Sequence, residues 1–119
     1  MRIAAAITII ALCLPAASLA ADKLPLKRGI FVDTDVKCAE RSNATVVSFW
    51  GDQLNTARTI GTISRVVKKG KSYTVDLDIE HMDGGKVKTT WSLVIRNPRT
   101  LKVTNSFGSW NHRWCSDQM

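Results

Sequence analysis

The sequence predicts an all-β protein, an antiparallel meander of six to eight strands closed or nearly closed into a small barrel and carrying one disulfide. Three observations predict it. Apolar and polar side chains alternate with period two through residues 72–96, the pattern of two half-buried strands joined by a tight connection. Around them, short β-branched and aromatic runs are separated by turn residues, and no segment carries a convincing helical period. Two cysteines, Cys38 and Cys115, remain once a predicted export signal is set aside.

The export signal is residues 1–20. Met1-Arg2 makes a short positive start, residues 3–14 form an apolar run, and Ser18-Leu19-Ala20 places small side chains where a signal peptidase reads. The run is shorter than the roughly twenty residues a membrane-spanning helix needs. Cleavage after Ala20 is therefore expected, leaving residues 21–119 as a single β-barrel-like domain in the periplasm. Cys13 lies inside the run without a small residue before it, so it is not read as a lipidation site and would leave with the signal. In an exported chain Cys38 and Cys115 most simply pair. The bond would close a loop of about 78 residues, worth on the order of 4 kcal/mol in the chain-entropy picture.

The elements follow in order. Residues 21–28 (ADKLPLKR) are an extended lead-in, because Pro25 opposes a helix. GIFVD (29–33) is a short strand. TDVKCAERSN (34–43) is a polar, turn-rich connection that carries Cys38, with Asp33-Thr34-Asp35 as a turn capped by carboxylates. ATVVSFW (44–50) is a strand, GDQLNTA (51–57) a turn or short irregular segment, and RTIGTISRVVKK (58–69) a strand in which Gly61 marks a bulge or bend. RTLKVTN (99–105) is a strand after the Asn97-Pro98 turn, and GSWNHRWC (108–115) is the last. The disulfide would tie this last strand to the connection before the second.

The hairpin within 72–96 allows a register to be argued. Tyr73, Val75, Leu77 and Ile79 alternate with Thr74, Asp76, Asp78 and Glu80, and after Asp83-Gly84-Gly85 the set Val87, Trp91, Leu93 and Ile95 resumes. Opposite residues of an antiparallel pair share a face, so paired numbers must sum to an even value. A three-residue loop with a glycine bulge, pairing Met82 with Lys86, satisfies this. It sets Leu77 opposite Trp91 and Glu80 opposite Lys88.

Without Arg2 the chain holds sixteen Lys/Arg against ten Asp/Glu, a net charge of +6. Such a balance aids solubility and also suits contact with anionic envelope components. Nucleic acid is not an expected partner, since no nucleic-acid motif occurs and the compartment is wrong. Nor does the sequence offer an enzyme. It has no GxSxG, no HExxH and no phosphate-cradling glycine loop, and Asp76, Asp78 and Glu80 read as a solvated strand face. No cofactor is implied. The wide cysteine spacing and the lack of CxxC or HxxxH argue against a metal site.

Candidate contacts are His81, Met82 and Asp83 at the hairpin tip, Lys69 and Lys71 in the KKGK turn (68–71), and Trp110 and Arg113 in the final strand. Trp110, His112 and Trp114 share one face of that strand; Asn111, Arg113 and Cys115 share the other. If the first face is inward, the indoles close the barrel with His112 as a rim residue against them. If it is outward, they form a binding surface. Small barrels need bulky filling, which favours the inward placement.

The layout resembles small periplasmic one-disulfide β proteins of alphaproteobacteria, of the kind that inhibit lysozyme-type peptidoglycan hydrolases. The resemblance rests on the export signal, then LPLKRGIFVD, a Cys-bearing polar loop, SNATVVSFW, a β-meander and a C-terminal Cys. KSYTV (71–75) is similar to the Ser-containing inhibitory segment of the membrane-bound c-type lysozyme inhibitors. The surrounding cysteines are not matched, so no inhibitory residue carries over. The resemblance implies an inhibitor or modulator of a lysozyme-like hydrolase, acting by protein–protein binding. At +6, a long-range repulsion would favour a less basic bacterial target. The competing expectation is a basic envelope-binding module in which Lys68, Lys69, Lys71, Lys86 and Lys88 hold an anionic glycan or lipid surface.

Overall fold

The computed structural model describes residues 21–118. The predicted signal peptide, with its cleavage point and Cys13, lies outside them. The described residues hold eight strands: β1 (Gly29–Asp33), β2 (Val46–Phe49), β3 (Leu54–Asn55), β4 (Thr59–Lys69), β5 (Ser72–His81), β6 (Lys86–Asn97), β7 (Thr100–Asn105) and β8 (Gly108–Ser116). Their order is β3-β2-β1-β8-β7-β6-β5-β4, and every pair is antiparallel. Each strand thus neighbours the next in sequence, and β8 returns to β1. This is an up-and-down barrel, closed except for a weak seam between β3 and β4.

The seam is held by two isolated bridges, Gln53 with Thr62 and Thr56 with Thr59. The Ile63 amide also donates to the Asp52 carbonyl (2.8 Å), and the Gly61 amide to Asn55 Oδ1 (3.1 Å). Gly61 is required there by close approach: a Cβ would stand 2.5 Å from the Leu54 carbonyl oxygen. The bulge expected at Gly61 lies instead at Ser64, between Ile63 and Arg65. It lets Ile63 and Val66 both face inward although three positions separate them. The second strand is also shorter than expected, because Asn43–Thr45 forms a 3-10 turn before it. The segment read as irregular contributes β3.

The interior is filled by Phe31, Val47, Phe49, Leu54, Ile63, Tyr73, Val75, Leu77, Ile79, Trp91, Leu93, Ile95, Leu101 and Val103. Leu24 and Leu26 of the lead-in complete this cluster and plug one end. The lead-in is fastened by the Lys23 amide to the Gly51 carbonyl and the Lys27 amide to the Pro98 carbonyl, both at 2.8 Å. Ile30 and Val32 point the other way from β1 and are also buried. The connection 34–45 covers that outer face, pinned by the Cys38–Cys115 disulfide (Cα–Cα 5.8 Å).

The β5–β6 register has the expected parity but is displaced. Val75 faces Trp91, Tyr73 faces Leu93, Asp78 faces Lys88 and Glu80 faces Lys86. The loop still has three residues, moved one position back. His81 and Gly85 are hydrogen-bonded (2.8 Å), and the loop is Met82-Asp83-Gly84, with Gly84 at φ +95°. Either glycine could have supplied the left-handed residue, and alternation does not choose between them.

Candidate interaction surfaces

The up-and-down path sends alternate connections to opposite ends of the barrel. One end carries the β1–β2 connection, the β3–β4 turn and the tips of the β5–β6 and β7–β8 hairpins. The other carries the lead-in and the β2–β3, β4–β5 and β6–β7 turns. The two ends differ sharply in chemistry.

At the hairpin-tip end, apolar side chains reach solvent. Six large apolar side chains are strongly exposed among the described residues: Ile60, Met82 and Val87 stand at or beside the β5–β6 tip, while Phe107 and Trp110 belong to the β7–β8 hairpin, whose turn reaches only to about the level of Ser92. Met82 is 81% and Phe107 88% exposed, more than a neutral surface position needs. The cause is local. β6 meets β7 only from Ser92 onward, so Val87, paired with Ile79 of β5 on one side, has no strand beside it on the other. Phe107 sits in the β7–β8 turn, its amide bound to Asn105 Oδ1 (2.8 Å). Beside the tip, the unsealed β3–β4 seam opens outward as a groove of about 540 Å³. Trp50, Ile60 and Met82 give it apolar walls, and Arg58, Glu80 and His81 give it polar ones. The Met82 amide donates to the Arg58 carbonyl (3.1 Å), extending the β4–β5 ladder one step past Thr59 and His81.

The residues singled out from sequence are thereby divided. His81 and Met82 line the groove, and Asp83 caps the tip by accepting from the Gly85 amide (2.9 Å). Trp110 occupies the same end of the barrel. It pairs with Val103, an inward position, yet remains 38% exposed at the mouth. Lys69 and Lys71 are exposed at the opposite end, and Lys86 and Lys88 are separated from them by the length of the hairpin. Arg113 turns its guanidinium onto the β1–β2 connection. Its Nη1 donates to the carbonyls of Val32 (3.2 Å) and Asp33 (2.9 Å), and its Nη2 to that of Val36 (2.6 Å). It holds the disulfide-bearing connection in place.

His112 is not a rim residue. It pairs with Leu101 on the inward face and is 6% exposed, and its Nδ1 has no hydrogen-bond partner. Burial pushes its pKa below the ordinary value, against the opposing pull of Asp33 across the β1–β8 ladder and of the Trp110 backbone. Trp114 packs against the core, and its Nε1 donates to the Arg28 carbonyl (3.0 Å). The inward face expected for Trp110, His112 and Trp114 is the face they occupy, with Trp110 reaching past the barrel wall.

The second end is cationic. The lead-in brings Lys23, Lys27 and Arg28, the β4–β5 turn brings Lys68, Lys69 and Lys71, and the β6–β7 turn brings Arg99. Among the described residues only Asp22, Asp52 and Asp117 oppose these seven. Arg28 pairs with Asp22 (2.6 Å), the only ion pair within 4.0 Å among the described residues, and holds that carboxyl below its usual range. Lys27 and Arg99 lie against the Trp114 ring, 4.6 and 5.3 Å from its centre. At the hairpin-tip end, by contrast, Lys37, Arg41, Arg58 and Lys86 are balanced by Asp33, Asp35, Glu40, Glu80 and Asp83.

Sequence reading missed Trp50, Arg58 and Ile60 as groove walls and Phe107 as an exposed tip. A large aromatic inside the NSFG turn is the signal that could have marked Phe107. Among the described residues no group of three or more His, Cys, Asp or Glu is placed to hold a metal ion. No family model, curated protein or solved structure matches the chain.

Proposed function

We propose that this chain is a periplasmic, non-catalytic inhibitor or modulator of a lysozyme-like peptidoglycan hydrolase, acting by protein–protein binding. The export signal expected from the sequence, the Cys38–Cys115 disulfide and the small barrel support the setting. The observation that carries the reading is the exposure of Ile60, Met82 and Val87 at and beside the β5–β6 tip, next to a groove of about 540 Å³. Met82 is the anchor. It projects from a three-residue tip, and a flexible thioether adapts to an enzyme cleft without demanding one shape. The groove walls then receive the lip of that cleft.

Charge placement supports the same reading. The positive excess lies away from the tip, about 30 Å along the strands by the rise per residue. That is several screening lengths at physiological salt. A basic hydrolase would therefore meet a nearly neutral contact face, and the repulsion suggested by net charge alone loses its force.

The test is cell-wall clearing by a panel of muramidases, one basic and others less so, with and without the oxidised protein at low and moderate salt. Saturable, salt-tolerant loss of activity that Met82→Glu abolishes is the expected result. No inhibition of any enzyme at stoichiometric excess would overturn the reading.

A further inference from the structure

We infer that the cationic end is a second interaction surface, one that seats the protein on a bilayer leaflet rich in anionic phosphate head groups and leaves the hairpin-tip end facing away. This stands apart from hydrolase inhibition and does not depend on it.

Four features point to a lipid surface. First, the charge is local. The seven cations of this end come from three stretches distant in sequence and meet only in the fold. Second, they stand on a fixed platform. The Lys71 carbonyl accepts from the Ile95 amide (2.9 Å) and the Arg99 carbonyl from the Trp114 amide (2.9 Å), so adjacent turns are hydrogen-bonded to the barrel. Trp114 fastens the lead-in and carries Lys27 and Arg99 on its faces. Third, the cations spread around the end of a barrel, a two-dimensional array. A single polyanionic chain is better tracked by a groove, whereas a leaflet presents a plane of charge. Fourth, among the described residues Val67 is the only strongly exposed large apolar side chain near this end, at 38%. The contact is therefore electrostatic adsorption at head-group level, without insertion.

The test uses protein recovered from the periplasm of an expressing bacterium, and vesicles of phosphatidylglycerol and phosphatidylcholine mixed one to two. Co-sedimentation is compared with pure phosphatidylcholine. The variant Lys69→Gln/Lys71→Gln removes two charges from the cationic end. Lys86→Gln/Lys88→Gln removes two from the far hairpin and matches it in net charge. Wild type should bind the anionic vesicles and not the neutral ones, more weakly as salt rises. The first variant should lose roughly thirtyfold in partitioning, and the second less than about threefold. Equal losses in both variants would show a net-charge effect without an oriented end and would overturn the inference. So would the absence of wild-type binding. Binding that soluble polyphosphate, at matched phosphate concentration, competes away completely would assign the surface to a polymer instead and equally overturn it. Circular dichroism of each variant confirms that the barrel is retained.

Discussion

Replacing Arg113 with methionine should unfold the protein far more readily while leaving any partner contact at the hairpin tip unaltered. The substitution keeps most of the side-chain stem and removes only the guanidinium. That group makes three hydrogen bonds to the carbonyls of Val32, Asp33 and Val36, at 3.2, 2.9 and 2.6 Å. A hydrogen bond from a charged donor contributes about 1.5–3 kcal/mol, and the two that share Nη1 count for less than two separate bonds. The half-buried carbonyls recover some hydration, so a net loss of about 3 kcal/mol is expected. For a domain of this size that lowers the melting temperature by more than about 10 °C. Urea unfolding of the oxidised protein measures it. Arg113→Lys keeps the charge, reaches fewer carbonyls and should recover about a third of the loss. If Arg113→Met costs less than about 0.5 kcal/mol, the clamp is not structural and the reasoning fails.

Three further outcomes follow from the same structure. Gly61→Ala places a Cβ 2.5 Å from the Leu54 carbonyl, so the seam must part; a loss of about 1–3 kcal/mol is expected, with faster amide exchange at residues 61–63. His112 is held neutral by burial, so below 6.5 the unfolded chain takes up a proton that the folded barrel resists. Stability should therefore fall as pH drops below 6.5 and be flat above it for this group, and His112→Leu should remove that slope in urea midpoints measured across the range. Replacing Cys38 and Cys115 together with alanine should cost about 4 kcal/mol by loop entropy, with a folded barrel still detectable at low temperature by circular dichroism.

How much of this was legible beforehand depended on range along the chain. Alternation is local, and it identified β5, β6, β7 and β8 and the even parity of the long hairpin. It did not fix the register, because sliding the loop by one residue preserves every side chain's face and merely exchanges Gly84 for Gly85 as the left-handed residue. The same alternation set Arg113 and Cys115 on one face, but Arg113's acceptors lie about eighty positions away and have no local signature. His112 was seen on the inward face; its depth depends on its pairing with Leu101 and with Asp33, which belongs to topology. The groove is the least legible feature. It exists because β3 is only two residues long and fails to seal against β4, a non-local shortfall. The cationic end was visible as composition in KKGK, but the convergence of the lead-in and the β6–β7 turn upon it was not.

The central claim is that the β5–β6 tip and its groove occupy the substrate cleft of a peptidoglycan hydrolase. Its most direct test is steady-state kinetics of an inhibited muramidase on soluble oligosaccharide, with the protein titrated against substrate. A plugged cleft predicts a rise in KM with kcat unchanged, restored activity at high substrate, and loss of the effect in Met82→Glu. A fall in kcat that substrate cannot relieve, or inhibition indifferent to Met82→Glu, would contradict the account.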